Sequence, residues 1–484
     1  RAINVPNVMW ESGYHPWEAA PDLSYYRHRH ELLWKDQLYC DIDFCRLDET
    51  ATLIACTCVN NGDQPENLAL HYMASLHFPP VRVYSPEPVR PSRVVLPAGG
   101  LWIDALAYRE LRLQAFDARA NLTEDGRLRG EVRGHGFVGG QGLGQGFGLH
   151  RGDAVTYELP RARAGGRLLL RYRLASGERL RLELTGAAGL NVELHGDGDF
   201  AVLETPVTGS GNDLTITAGG GAGIELDGLA VVADGEREHV AFVPEQLNYT
   251  PQLLPGPTAQ SLILEYDRPD VSYGLAWGAA PFVVRQFICS ELDSFMRLKA
   301  HEHVQSILHG PGEGHFTNVF MRPLVLPAHS ERTIYGLVCG GERAAVTQRL
   351  AGFDASSAEW PRRHDAVRAR AVRFAPTPAG ARYVFSQERM AATVLTNVVY
   401  PVRVRGAWIR HNTPGRWWDC LYTWDSGFIG LGLLELDEQR AIDCLNAYVT
   451  EPGDRDAAFI HHGSPVPTQF YLFHDLWQRT QSRD

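Results

Sequence analysis

A chain of 484 residues exceeds what one hydrophobic core organises, so two to four domains are expected. Its 44% hydrophobic and 21% charged residues are ordinary for a soluble globular protein, and no apolar run is long enough for a membrane-spanning helix. A net charge of −11, with Lys only at 35 and 299, leaves no basic excess to neutralise phosphates; it argues against a nucleic-acid partner and suits a neutral ligand.

No signal-like apolar stretch follows Arg1, so the compartment stays open between cytoplasmic and periplasmic or secreted. Residues 1–36 are rich in aromatics (Trp10, Tyr14, Trp17, Tyr25, Tyr26, Trp34) and read as an irregular segment wrapping over a domain. From Gln37 the pattern alternates. Strands are expected over 38–44, 51–59, 68–77, 81–84 and 93–96, separated by turn clusters such as Asn60-Asn61-Gly62-Asp63. Residues 1–140 are therefore read as the first part of a β-sandwich.

Four of the eight cysteines, Cys40, Cys45, Cys56 and Cys58, fall in one expected hairpin, which places Cys40 opposite Cys58. Free core thiols are the ordinary state, and a Cys40–Cys58 disulfide is open to an oxidising compartment. Zinc fits the spacing poorly, because C-x4-C and C-x-C lack the C-x2-C knuckle. No metal and no cofactor is expected.

Residues 139–148 carry six glycines without the helix or Lys-Ser/Thr of a phosphate loop, and read as tight turns. Strands are next expected over 153–159, 166–174, 179–184, 190–194, 199–206, 212–218 and 223–232. This regular spacing is that of a sandwich or jelly roll, assigned to residues 141–236. Its opening Gly152-Asp153-Ala154-Val155-Thr156-Tyr157 and closing Gly223-Ile224-Glu225-Leu226-Asp227-Gly228-Leu229 resemble carbohydrate-binding modules of the family 6 and 35 type. Residues 150–234 hold no Trp, and their aromatics are Tyr157, Tyr172 and Phe200, so a structural insert and a sugar-binding module both remain open.

The larger sandwich resumes over 237–341, with strands expected at 240–243, 261–266, 271–277, 283–290, 294–300, 303–308, 317–324 and 331–337. His301, His303, His309 and His315 match no strong ligand spacing. The period then becomes helical. Residues 342–350 and 356–373 read as a helical linker within 342–380. Helices follow at 383–400, 425–435, 438–449 and 468–479, with an extended excursion over 402–411.

The densest chemical signal is Arg416-Trp417-Trp418-Asp419-Cys420-Leu421-Tyr422-Thr423-Trp424-Asp425-Ser426-Gly427. Indole faces stack on sugar C–H faces, and a carboxylate accepts from hydroxyls. Core tryptophans with Asp425 as a helix N-cap fit the spacing equally well. Trp424-Asp425-Ser426-Gly427-Phe428-Ile429-Gly430-Leu431-Gly432-Leu433 resembles the Trp-Asp-Ser/Thr segment of the (α/α)6-barrel glycosidases, above all glycoside hydrolase family 63. The run His461-His462-Gly463-Ser464-Pro465-Val466-Pro467-Thr468-Gln469-Phe470 resembles the next loop of those barrels.

The resemblance covers about residues 380–484. It implies that 381–484 is the first part of an (α/α)6 catalytic barrel. It also implies that Asp425 binds sugar hydroxyls in the −1 subsite, with Tyr422, Trp424 and Trp418 as walls and His462 and Gln469 as weaker contacts. Asp419 reads either as a solvated loop acid or as a partner behind the sugar contacts. The general acid and base of that family lie further along, and neither pattern is found, so the catalytic residues are unknown. Twelve helices need roughly 250 residues or more, and 381–484 supplies about four. A further segment or chain completing the barrel is the expected partner beside a carbohydrate; a homo-oligomer is left open. The implied activity is inverting hydrolysis of an α-linked glucoside. A sugar phosphorylase, a rhamnosidase or a non-catalytic glycan-binding subunit is the alternative.

Overall fold

The computed structural model describes residues 14–33, 36–75, 90–115, 129–159, 165–209, 211–245, 250–266, 271–279, 281–289, 292, 304–312, 314–404, 407–412, 414, 421–448, 460–462 and 466–482. The chain divides into two units, Arg1–Tyr84 with Asn248–Asn397 and Ser85–Leu247 with Val398–Asp484.

The first unit begins with β1 (Tyr14–Ala19), β2 (Tyr25–Leu33), β3 (Leu38–Arg46), β4 (Ala51–Asn60) and β5 (Glu66–Ala74). An eight-stranded sheet runs β1-β2-β3-β4, then Ser330–Gly341, Ser272–Trp277, Ser261–Glu265 and Gln252–Pro255. A four-stranded sheet of Ile307–His309, Phe282–Ile288, His315–Leu326 and β5 faces it. Side chains alternate across β4, and so do its two cores. Ala51 and Leu53 join Tyr25, Leu337, Val346 and Trp360 on one side. Cys56 and Cys58 join Leu38 and Leu326 on the other, against Leu68 and Leu70 of β5. Helices α1 (Arg343–Ala351) and α2 (Glu359–Arg368) cover the first side, burying Val346, Leu350, Trp360 and Val367. The expected linker is thus a third layer of this unit. Helix α3 (Val384–Thr396) belongs to it as well, with Phe385 edge-on to Trp17 of β1 at 5.6 Å between ring centres.

Residues 14–33 are not the irregular wrap that the sequence suggests. They form β1 and β2, because their inward side chains are charged and satisfied by ions rather than by apolar contact. Arg27 and Asp43 are Cα partners across β2 and β3, as are Arg29 and Asp41. Arg27 donates to Asp43 Oδ2 at 2.6 Å, and Arg29 forks onto Asp41 at 2.8 and 2.9 Å. From α2, His364 Nε2 lies 2.5 Å from Asp43, and Arg368 forks onto Glu18 at 2.9 and 2.8 Å. Burial alone would raise the Glu18 carboxyl, yet Arg368, Arg27 and Arg373 hold it down at about 2.

The second unit contains a two-sheet module. One sheet orders Phe200–Pro206, Gly166–Leu174, Ile224–Ala233, Gln141–Leu143 and Glu131–Arg133, with Leu101–Asp104 also paired to Ile224–Ala233. The other orders Leu190–His195, Arg179–Gly186, Asp213–Ala218, Ala154–Glu158 and Glu110–Arg112. Leu180, Leu182 and Leu184 point inward with Leu214 and Ile216, giving one continuous apolar core. Ser92–Val95 pairs with Ala241–Pro244 beside it. The module therefore takes in strands from Leu101 onward, earlier than the expected boundary at 141. Those early strands are three or four residues long, too short for alternation to show.

The glycine-rich segment is structural. At Gly142 a Cβ would meet Leu226 O at 2.5 Å, so only glycine lets Gln141–Leu143 lie against its neighbour. Asp227 and Arg171 form a buried ion pair; Asp227 also accepts from Val138 N at 2.8 Å, and Arg171 donates to Gly136 O at 2.8 Å. Burial raises the Asp104 carboxyl to about 6, with nearby Asp227 adding to the effect against the Leu106 N–H.

The remaining residues of this unit form the hairpin Val398–Val404 with Ala407–Asn412, then α4 (Thr423–Leu434), α5 (Glu438–Asn446) and α6 (Thr468–Thr480). The helix expected over 383–400 stops at Thr396, because Val398-Val399-Tyr400-Pro401 is β-branched, aromatic and proline-terminated and pairs as a strand. Helix α4 packs on both α5 and α6. Among the described residues these helices form a three-helix group, which neither closes a ring nor by itself identifies the expected first part of an (α/α)6 barrel. No described helix is long and apolar enough to cross a membrane. The strands expected at 81–84 and 294–300, with His301 and His303, lie outside the described residues. His315 Nε2 sits 2.9 Å from Gln286 Oε1, and burial lowers its imidazole to about 4.

Candidate functional site

Tyr422 is the N-cap of α4, so Trp424 and Asp425 lie in its first turn. Tyr422 belongs to a two-residue strand that pairs in parallel with Ile460–His462, and the register sets His462 beside Tyr422. Thr468 opens α6, and its hydroxyl donates to the Trp424 carbonyl at 2.9 Å, which brings Gln469 to the same end of α4. The two helices meet very closely. A Cβ on Gly427 would lie 2.2 Å from Thr468 Oγ1, and one on Gly430 would lie 2.2 Å from Leu472. The glycines spaced along Gly427-Phe428-Ile429-Gly430 are thus the reason the α4 and α6 N-termini adjoin.

The structure therefore gathers Tyr422, Trp424, Asp425, His462 and Gln469 at one end of the helix group. Trp418 and Asp419 lie outside the described residues. Core packing does not account for Trp424, which is 44% exposed and has Phe428 edge-on at 6.0 Å. Helix capping does not account for Asp425. The cap makes no side-chain hydrogen bond, and Asp425 Oδ2 is buried without a hydrogen-bond partner. Leaving a buried acceptor unpaired costs about 1–3 kcal/mol. The positive end of the α4 dipole offsets part of that for a carboxylate. A hydroxyl donor would remove the rest.

Sequence reasoning missed the groups that brace this end. Tyr448 donates to the Tyr422 carbonyl at 3.1 Å and hydrogen-bonds the Ser426 hydroxyl; Cys444 donates to the Ser426 carbonyl at 3.1 Å. None of these sits in a recognisable spacing. Arg440 is buried, and burial lowers its guanidinium to about 10, with Arg410 adding to the effect. It donates to Asn412 Oδ1 at 3.3 Å.

The module presents a different surface. Tyr157 and Tyr172 are buried, and Phe200 is occupied by Phe137 and by Arg171 over its ring, so none offers a free stacking face. An open cleft of about 400 Å³ is lined by Arg151, Arg179, Arg181, Glu193, Gly219 and Gly220 with Leu180. Arg181 and Glu193 are Cα partners there. Hydrogen bonding to guanidinium and carboxylate, not ring stacking, is what this cleft offers.

No family model matches the chain, and no curated protein matches it. Among solved structures it is similar to the CBM35 from Cellvibrio japonicus Abf62, at 20% identity over 28% of this chain and 94% of that one, with a TM-score of 0.21. It is also similar to the C-terminal CBM6 of LamC from Zobellia galactanivorans, at 15% identity over 28% and 99%, TM-score 0.19. An exo-β-1,3-galactanase from Phanerochaete chrysosporium matches at 12% identity over 46% and 57%, TM-score 0.18.

Proposed function

We propose that the chain carries the sugar-binding part of an (α/α)6-class glycoside hydrolase, inverting, acting on an α-linked glucoside or a related oligosaccharide. Asp425 carries the reading: a buried carboxylate oxygen without a partner, in the first turn of α4, beside the exposed indole of Trp424. That pairing holds a sugar ring by its face and a hydroxyl by its edge. Tyr422, His462 and Gln469 flank the position, and Trp418 completes the proposed substrate-binding set.

Inverting hydrolysis needs two carboxylates about 6.5–9.5 Å apart. We assign the acid and base to polypeptide beyond these residues. Phe428, Phe470, Tyr471 and Phe473 expose an apolar surface on α4 and α6 that suits cover by further helices. Native mass measurement beside a denaturing separation reports whether such polypeptide is present.

The complete assembly is expected to turn over an α-glucoside. Asp425→Ala lowers kcat/KM at least about tenfold, from loss of a charge-assisted hydrogen bond of about 1.5–3 kcal/mol. Unchanged kinetics would remove Asp425 from the site. Activity that requires inorganic phosphate would turn the reading to a phosphorylase. Glycan binding without turnover in the full assembly would favour a non-catalytic glycan-binding subunit, a reading that the polar cleft on the module supports independently.

A further inference from the structure

The inner face of the large sheet holds a cluster that the sugar site does not use. Cys40 of β3 and Cys58 of β4 are Cα partners, and Cys56 stands two residues along β4. Alternation turns all three thiols to the same side. Cys40 and Cys58 Sγ are 3.3 Å apart, and Cys56 and Cys58 Sγ are 3.8 Å apart. All three sulfurs lie within 4.8 Å of one another. Leu38, Leu68, Leu70 and Leu326 wall the cluster, while Cys40 remains partly accessible.

We propose that Cys40, Cys56 and Cys58 form a three-thiolate site for a thiophilic d10 cation of the zinc class. A zinc–sulfur bond of about 2.3 Å at tetrahedral angles sets sulfurs about 3.8 Å apart, close to the 3.3 and 3.8 Å of two of the three pairs. Soft thiolates in a dry pocket select such cations over magnesium or calcium. Binding a divalent ion forms three metal–sulfur bonds and releases three protons to solvent, with no change of oxidation state. The bound complex carries a net negative charge. Arg332 is the Cα partner of Cys58 on the next strand and supplies a cation beside it. His30 is the Cα partner of Cys40 on β2, which places a nitrogen donor in the same cross-strand row.

The C-x-C spacing argues against a zinc knuckle, whose loops use C-x2-C, and not against a site built on strands. In a strand, i and i+2 share a face, and the paired strand delivers the third ligand. The site would brace β3 and β4 and is independent of the glycan reading.

The test is a titration of the reduced chain with cadmium, read by its thiolate-to-metal absorption, and with zinc in competition with a chelator. One ion per chain is expected to bind tightly and to raise the thermal midpoint of the chain. Cys56→Ser and Cys58→Ser each weaken it by at least about 100-fold, beyond the loss typical of outer-sphere partners. Cys45→Ala, on the opposite face of β3, leaves it unchanged. Far-ultraviolet dichroism confirms that each variant is folded, and Cys58→Ala serves where Cys58→Ser is not. Cadmium binding no tighter to the native chain than to the triple Cys→Ser variant would overturn the site. So would recovery of a Cys40–Cys58 disulfide from protein purified under reducing conditions.

Discussion

On β2 and β3, the row facing the helices is Arg27, Asp41 and Asp43; on the module strand Arg179–Gly186, the inward row is Leu180, Leu182 and Leu184. Both rows are buried and both hold layers together. The first does so by directional ion pairs that also fasten α2 through His364 and Arg368. The second does so by apolar area, at about 1.5–3 kcal/mol for each fully buried leucine. An ionic row fixes which side chain of the helix meets which strand, and it ties the fastening to protonation. An apolar row tolerates acid and leaves register to the pleat.

The largest expected effect breaks the ionic row. Asp43→Ala leaves His364 buried without its carboxylate and Arg27 with only its longer contacts to Asp41 and Glu18, and costs about 3–5 kcal/mol. Hydrogen exchange read segment by segment should show the loss over residues 14–60 and 343–373 and leave residues 154–233 protected. Equal loss in both regions would erase the distinction. Leu182→Ala, the apolar counterpart, costs about 2–4 kcal/mol and reports on residues 154–233 instead.

The comparison sharpens with pH. Glu18 is held at about 2 in the fold against an ordinary 4.5, so its contribution is present above pH 4.5 and is lost as pH falls toward 2. The loss should be about 3 kcal/mol by linkage. Asp104 titrates in the opposite sense. Its carboxyl is raised from 3.8 to about 6, so the module is favoured below pH 4 and loses stability as pH rises through 6. Acid unfolding followed by exchange should therefore reach residues 14–60 before 154–233. The smallest effect follows from the same group. Asp104→Asn keeps the acceptor for Leu106 N and should stabilise the module by about 1 kcal/mol at pH 7 and by nothing at pH 4. A thermal scan at the two pH values checks it.

The same contrast decides what could be read from sequence. The strands of the module from 154 to 233 show themselves because hydrophobic alternation is uninterrupted there, as in Leu180-Arg181-Leu182-Glu183-Leu184. Strands β1 and β2 hide because Arg27, Arg29 and Glu31 occupy inward positions that a hydrophobicity pattern scores as surface. Glu131–Arg133 and Gln141–Leu143 are three residues each and pair with each other, and they join the sheet through Leu143 opposite Leu226, a partner distant in sequence. The sequence pattern extends helix α3 past its end because Val398 and Tyr400 continue its apolar period, although they belong to a strand. At the candidate site, Trp424 and Asp425 stood out by residue type and by resemblance. The placement of Gln469 depends on Thr468 reaching the Trp424 carbonyl, and the bracing by Tyr448 and Cys444 depends on how α5 turns back, which no local spacing encodes.

Gly427 and Gly430 leave no space for even a methyl group between α4 and Leu472 or Thr468 of α6. The two helices are locked at one separation, and the distance between Asp425 and Gln469 is locked with them. On the proposed sugar-binding reading, selection for a larger or smaller ligand then has no route through the helices themselves. It must work through the rim, by exchanging side chains at Tyr422 and Trp424 or along the segments that lead into α4 and α6. The glycines thus divide this region into a part that evolution can tune and a part that it can only keep or lose.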